Sequence, residues 1–181
     1  MSRLALRASL AAAASTALAL LAAACGPTNN FHVAVGFAGT IGTCRATAAT
    51  GATTLDDRGR VHGASPGHGE VVCEDGDREG VGVAPLARVA IEGPDEIAPH
   101  TGVYYTVRAY AADGTGLSLI DDDQIGWSAT GGDLQPAHCS DMPLLGCPGP
   151  DSAQWMAPGP GTYTLEATYL GQRATRHVVV R

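Results

Sequence analysis

Three groups of residues in this 181-residue chain have types and spacings that could support chemistry. The first, Gly63-Ala64-Ser65-Pro66-Gly67, matches G-x-S-x-G, the pattern of a serine nucleophile on a sharp turn. That chemistry needs the main-chain N–H of the residue after the serine, and Pro66 has none. We therefore interpret the segment as a Gly/Pro turn between strands, and we predict no catalytic residue.

The second group consists of carboxylates, the oxygen ligands that Ca²⁺ prefers. One cluster is Asp121-Asp122-Asp123; the other contains Glu74, Asp75, Asp77 and Glu79, with Arg78 among them to offset part of the charge. Neighbouring carboxylates on a strand point to opposite faces, and the spacing D-x-D-x-D-G is absent. We predict two solvated loops and no metal site, with Ca²⁺ binding at Asp121–Asp123 left open.

Histidines and tyrosines form the third group. The six histidines are His32, His62, His68, His100, His138 and His177. We interpret them as surface residues, since His62 and His68 flank a turn without a carboxylate at a diagnostic spacing. Tyr104 and Tyr110 share the face of a predicted strand opposite Tyr105, which makes them candidate recognition residues. Packing against the preceding part of the chain explains that pair equally well.

Arg3 and Arg7 precede an uncharged Ala/Leu run, Ala8–Ala24, that is shorter than the roughly 20 residues needed to span a bilayer. A positive start, an apolar run and small residues are typical of a secretory signal. We expect residues 1–24 to be a helical signal peptide that is cleaved from the mature protein.

The end of this run, Leu20-Leu21-Ala22-Ala23-Ala24-Cys25-Gly26, resembles the lipobox of bacterial lipoproteins, with Ala22 where that family usually has Leu. The resemblance implies that the Cys25 thiol carries a diacylglyceryl group and that the membrane is a partner through this lipid. Residues 25–30 would be a short tether. The alternative is an ordinary secretory signal with Cys25 as a spare thiol.

The remaining cysteines are Cys44, Cys73, Cys139 and Cys147. Outside the cytoplasm such thiols normally pair, and four of them allow three connectivities. We favour Cys44–Cys73 and Cys139–Cys147, because each pair lies inside one of two predicted β modules, residues 31–86 and 87–181. A metal site formed by His138, Cys139 and Cys147 is the alternative, but paired C-x-x-C spacing is absent.

Composition excludes several classes of protein. The chain has 11 Lys+Arg against 18 Asp+Glu, a net charge of −7 without a basic run, which argues against nucleic acid as a partner. The 24 Gly and 11 Pro favour short strands joined by turns over long helices. Residues 87–181 also alternate apolar and polar side chains between Gly/Pro/Asp breaks, which predicts an antiparallel β-sandwich.

Residues 87–181 resemble a bacterial immunoglobulin-like domain. The segments that carry the resemblance are Val103–Ala111 with Asp113-Gly114, Ile125–Gly132, Ala157-Pro158 and Gly161–Ala167. The resemblance implies that Trp127 is the core tryptophan of the third strand and that Tyr163 forms a tyrosine corner. Leu165 stands where antibody domains have their second core cysteine.

Residues 31–86 resemble the closing half of group 2 bacterial immunoglobulin-like repeats, through Leu55-Asp56, Gly59, Val61 and Gly63 before the Pro66-Gly67 turn. The resemblance implies an early strand over Ile41–Ala48, tied by Cys44–Cys73 to a late one. About 55 residues is short beside the roughly 100 of a full sandwich, so we expect a truncated repeat. A disulfide-pinned loop region is the alternative.

We therefore expect an all-β protein of the bacterial cell envelope, outside the cytoplasm and held by lipid on Cys25. Its expected role is non-catalytic: binding, adhesion or structure through an unknown protein or polysaccharide ligand, with no cofactor. The rival functions are an accessory subunit of an envelope complex, or a Ca²⁺-dependent or hydrolytic protein whose site shows no familiar motif.

Overall fold

The computed structural model describes residues 29–41, 44–119, 124–137 and 151–181, and its regular elements there are β-strands. The all-β prediction is confirmed. In the part of the chain that is described, no helix is long and apolar enough to cross a membrane. The predicted signal peptide, Cys25, the start of the tether, Asp121–Asp123, His138, Cys139 and Cys147 lie outside the described residues.

The first seven strands form two small sheets. They are β1 (Asn29–Ala34), β2 (Ala38–Gly39), β3 (Ala46–Gly51), β4 (Thr53–Leu55), β5 (Val61–Gly63), β6 (Gly67–Cys73) and β7 (Arg78–Ala84). One sheet has the order β1-β7-β6-β3, with β1 parallel to β7, and the other has the order β2-β5-β4. This is the immunoglobulin arrangement of strands A′GFC facing strands BED.

The seven strands of this first module are short, and several of them have only two or three residues. The expectation of a truncated repeat at 31–86 stays a prediction. The expected early strand over Ile41–Ala48 is corrected: Ile41 and Cys44 form an isolated bridge, and the strand runs over Ala46–Gly51. A core between the sheets includes Val33, Phe37, Ile41, Val61, Val71 and Val81.

The remaining nine strands form a second sandwich. They are β8 (Arg88–Glu92), β9 (Glu96–Ile97), β10 (Gly102–Tyr110), β11 (Gly116–Leu117), β12 (Ile125–Ala129), β13 (Asp133–Pro136), β14 (Ser152–Met156), β15 (Gly161–Tyr169) and β16 (Gln172–Val180). One sheet joins β8, β10, β14 and β13, with β11 on β10; the other has the order β12-β15-β16-β9. These are the immunoglobulin sheets ABED and A′GFC, so the predicted immunoglobulin-like sandwich is confirmed.

The two sandwiches meet end to end through a short connection. Only residues 85–87 separate β7 from β8. Ala34, at the end of β1, is buried in the core of the second sandwich. Hydrogen bonds cross the junction from Ser118 N to His32 O (2.6 Å), from Ala38 N to Gln124 Oε1 (3.3 Å) and from Gln124 Nε2 to Gly36 O (3.4 Å). Because main-chain groups take part, the junction restricts bending between the sandwiches.

Candidate recognition face

Strand β10 decides which side chains the ABED sheet exposes. Tyr105, Val107 and Ala109 are buried, whereas the alternate residues Tyr104, Thr106, Arg108 and Tyr110 lie on the opposite, outer face. The structure thus places Tyr104 and Tyr110 on the same outer face of the second sandwich, near opposite ends of β10. We call the outward side chains of β8, β10 and β14 the recognition face; its members are Arg88, Glu92, Tyr104, Thr106, Arg108, Tyr110, Gln154 and Met156.

A charged cluster occupies the centre of the recognition face. Arg108 Nε lies 3.3 Å from Glu92 Oε2, and Arg108 Nη1 lies 3.0 Å from Asp151 Oδ2. Burial raises the pKa of Asp151, and the charge of Arg108 opposes that increase. Because Arg108 contacts two carboxylates on neighbouring elements, its guanidinium is fixed in position and its charge is compensated.

Tyr110 is held by one contact to the face of its ring and by another to its hydroxyl. The Arg88 guanidinium lies over the ring, 3.7 Å from the centroid, and the hydroxyl donates to Glu92 Oε1 at 3.4 Å. A cation over an aromatic face contributes about 0.5–1 kcal/mol at an exposed site. The ring is therefore ordered before any partner arrives, which lowers the entropic cost of using it in binding.

The other end of the face is less charged. Tyr104 is paired in register with Gln154, and Gly102 with Met156, whose side chain is 46% exposed. Between the two ends, Thr106 Oγ1 and Ser152 Oγ are 2.9 Å apart. Tyr, Arg and Met are enriched in protein–protein interfaces, so this face can bind a partner through apolar contact and hydrogen bonds.

Aromatic side chains in the core pack against the inner face of the ABED sheet. Trp155 is fully buried, packs edge-on against Tyr105 and Tyr163, and donates from Nε1 to Gly131 O at 2.8 Å. Tyr163 OH donates to Gly159 O at 3.1 Å, which is the predicted tyrosine corner. The expected core role of Trp127 is corrected: Trp155 occupies the centre, and Trp127 packs against the core from a half-buried edge position.

A second cluster lies in the turn between β4 and β5. Asp56 Oδ1 accepts from the N–H groups of Arg58 and Arg60, both at 2.9 Å, and Oδ2 accepts from Arg60 Nε at 2.8 Å. These bonds, chiefly those from Arg60, hold the pKa of Asp56 well below its usual range. His62 Nε2 lies 3.1 Å from Asp56 Oδ2, a contact that no diagnostic spacing in the sequence indicated.

The glycines of this segment have separate structural roles. Gly59 has φ of +75°, a left-handed conformation that the turn requires and that other residues rarely adopt. Gly63 lies so close to the first strand that an added Cβ would be 2.3 Å from Ala34 O. The segment that resembles the group 2 repeats is therefore a structural hairpin. Pro66 falls between β5 and β6, as the turn interpretation predicted.

The pole of the first sandwich that lies away from the second sandwich contains the disulfide and a cleft. Cys44 and Cys73 are joined, as favoured from the sequence. The cleft encloses about 650 Å³ and is lined by Phe31, Ile41, Cys44, Arg45, Cys73, Glu74, Asp75, Asp77 and Glu79. Arg78, expected to offset this acidic stretch, instead pairs with Glu70. Among the described residues, no group of three His, Cys, Asp or Glu side chains is arranged to hold a metal ion.

No protein-family model and no curated protein matches the chain. Among solved structures it is similar to FdeC, an adhesin of Escherichia coli, with 16% identity, a TM-score of 0.37, and coverage of 87% of this chain and 55% of that one. Domains 5-6 of the S-layer protein SbsC have 16% identity and a TM-score of 0.38, with coverage of 84% of this chain and 93% of that one. The adhesin InvE of Yersinia pseudotuberculosis has 12% identity and a TM-score of 0.35, with coverage of 84% of this chain and 57% of that one.

The chain thus spans about half the length of the FdeC and InvE structures. These likenesses assign no ligand, partner or residue role to it. The immunoglobulin-like fold rests instead on the strand order of the two sandwiches and on the tyrosine corner.

Proposed function

We propose that this protein is a non-catalytic binding protein of the bacterial cell envelope, anchored by lipid on Cys25. The observation that carries the proposal is the recognition face, where two tyrosines, two arginines and a methionine lie outward on one sheet. Ion pairs hold Arg108, and a hydrogen bond and a cation–π contact hold Tyr110 and Arg88, as expected of a preorganised binding surface. The partner class is a protein of the envelope or of a neighbouring cell.

The direction of the first strand supports display of this face away from the membrane. The tether enters at Asn29, at the pole that also contains Cys73, whereas Ala34 at the other end of β1 contacts the second sandwich. The six steps between the first and last residues of β7 put roughly 20 Å between these poles, at about 3.3 Å per step. A lipid on Cys25 would therefore leave the second sandwich as the more distant one.

Photo-crosslinking on intact cells tests the binding role directly. The chain contains no lysine, so amine-reactive reagents are unsuitable, and a photoreactive amino acid is placed at Gln154 on the recognition face. The matched control carries the same group at Thr175, on the outer face of the other sheet. We expect a discrete partner adduct from position 154 that is absent from position 175. Equal adducts, or none at position 154, would contradict the proposal.

Membrane fractionation tests the anchor separately. A Cys25→Ala variant should move from the membrane to the soluble fraction, because the diacylglyceryl group is attached through that thiol. The control is Cys44→Ala, which removes a disulfide-bonded cysteine from the folded part of the chain and leaves the lipobox intact. If Cys25→Ala partitions like the wild type, the lipid anchor is wrong while the recognition face remains to be judged by crosslinking.

A further inference from the structure

Strand β12 is the edge of the A′GFC sheet in the second sandwich, since it pairs with β15 on one side and no strand of the described chain pairs with its other side. Edge strands are normally protected by charge, proline or brevity. The other edges of the second sandwich follow that rule: β8 contains Arg88 and Glu92, β13 contains Asp133 and Pro136, and β9 and β11 have only two residues each. The five residues of β12 include neither a charge nor a proline.

The register shows which main-chain groups this edge leaves open. Just beyond the strand, Thr130 N donates to Thr164 O at 3.0 Å, in continuation of the β12–β15 pairing. Because hydrogen-bonded pairs alternate along antiparallel strands, Gly126 and Ser128 also direct their main-chain groups towards β15. The N–H and C=O groups of Ile125, Trp127 and Ala129 therefore point away from the sheet.

Side chains leave room for another strand at this edge. The two outward residues of β12, Gly126 and Ser128, have small side chains. Trp127 faces inward but is only half-buried, and its indole Nε1 is shielded from solvent without a hydrogen-bond partner in the described chain. A buried donor without an acceptor is uncommon in folded proteins. The surroundings of this tryptophan are thus incomplete among the described residues.

We propose that β12 pairs antiparallel with β12 of a second copy of this chain, which joins two A′GFC sheets into one. The open groups are symmetric about Trp127, so a two-fold axis there sets Ile125 opposite Ala129 of the other copy and Trp127 opposite its own equivalent. This arrangement forms about six main-chain hydrogen bonds and is self-complementary, as a two-fold interface requires. It also covers the exposed part of the Trp127 ring, and it leaves the recognition faces free on the other sheets.

Sedimentation of the full chain, purified from cells in detergent, tests this pairing over a wide concentration range. Ala129→Pro removes an outward N–H without breaking a bond to β15, and by symmetry it removes two hydrogen bonds from the dimer. We expect at least tenfold weaker self-association. Ser128→Lys places a charge at the edge and should act similarly. The matched control, Thr175→Lys, adds the same charge on the same face but two strands away.

Each outcome decides the question. Dimers that both edge variants weaken and Thr175→Lys does not would support the pairing, as would a concentration-dependent blue shift of Trp127 fluorescence that Trp127→Phe removes. A monomer at every concentration, or a dimer that the edge variants leave intact, would overturn it. Circular dichroism checks that each variant is folded. If Ala129→Pro does not fold, the sedimentation of Ser128→Lys decides the question. The assay involves no partner protein, so its failure leaves the proposed binding function untouched.

Discussion

Arg176 is the side chain whose removal best tests our account of the second sandwich. It lies on β16 at an inward position and is 22% exposed. Nη1 donates to Ile91 O at 2.8 Å, Nη2 donates to Gly93 O, and Asp95 Oδ1 lies 2.9 Å from Nη2. The guanidinium thus holds the segment that passes from β8 in one sheet to β9 in the other.

We predict that Arg176→Met lowers the free energy of unfolding by about 3 kcal/mol. Two hydrogen bonds from a charged donor contribute about 1.5–3 kcal/mol each, and the methionine side chain recovers part of the packing. Asp95 is 81% exposed, so its ion pair contributes little. At about 2–4 °C per kcal/mol for a chain of this size, the melting temperature should fall by roughly 6–12 °C.

Two variants serve as controls in thermal and urea unfolding. Arg173→Met makes the same substitution on the same strand, where the side chain is 67% exposed and pairs with Glu166 at 3.1 Å. Its expected loss is below about 1 kcal/mol. Asp95→Asn should also cost little. Two results would show that the hydrogen bonds from Arg176 to the two main-chain carbonyls do not secure the segment between β8 and β9. One is that Arg176→Met lowers the free energy of unfolding no more than Arg173→Met, and the other is that Asp95→Asn lowers it as much as Arg176→Met.

Three further predictions concern other parts of the fold. Asp56→Asn should lower the melting temperature at neutral pH. Because folding lowers the pKa of Asp56, the ionised carboxylate stabilises the fold above the unfolded pKa, and this stabilisation is lost on acidification. The difference in melting temperature between Asp56→Asn and wild type should therefore shrink in acid. Replacing Cys44 and Cys73 together by Ser should cost roughly 3.6 kcal/mol in urea unfolding, from the loop entropy of 29 residues. Tyr163→Phe should cost about 1 kcal/mol through its lost hydrogen bond.

The second sandwich could be predicted from sequence because its long strands show their period. The strands β10, β15 and β16 have nine residues each, and these alternate between core and surface. Such alternation identifies a strand and shows which of its side chains face the core. The tyrosine corner at Tyr163 followed instead from the resemblance to bacterial immunoglobulin-like domains. Alternation does not say where a strand lies within its sheet, however. That position distinguishes central β14, with buried Trp155, from edge strand β12, with half-buried Trp127.

The first sandwich was harder to predict because β2, β4 and β5 have two or three residues each and cannot show a period. Their place is fixed by tertiary contacts, such as the approach of Gly63 to Ala34. The Asp56–His62 contact was missed for a related reason. The two residues come together only when the β4–β5 hairpin closes, and a spacing of six residues has no diagnostic value without that turn.

The charge of the disulfide pole bears on how the proposed anchor would hold the protein. Glu74, Asp75, Asp77 and Glu79 lie at the end of the first sandwich where the tether enters, and Arg45 is the only cation among the described residues that line the cleft there. An anionic membrane surface attracts basic segments and repels acidic ones within about a Debye length. The lipid would therefore hold the chain at the membrane while repulsion keeps the acidic pole, and the two sandwiches beyond it, off the membrane surface.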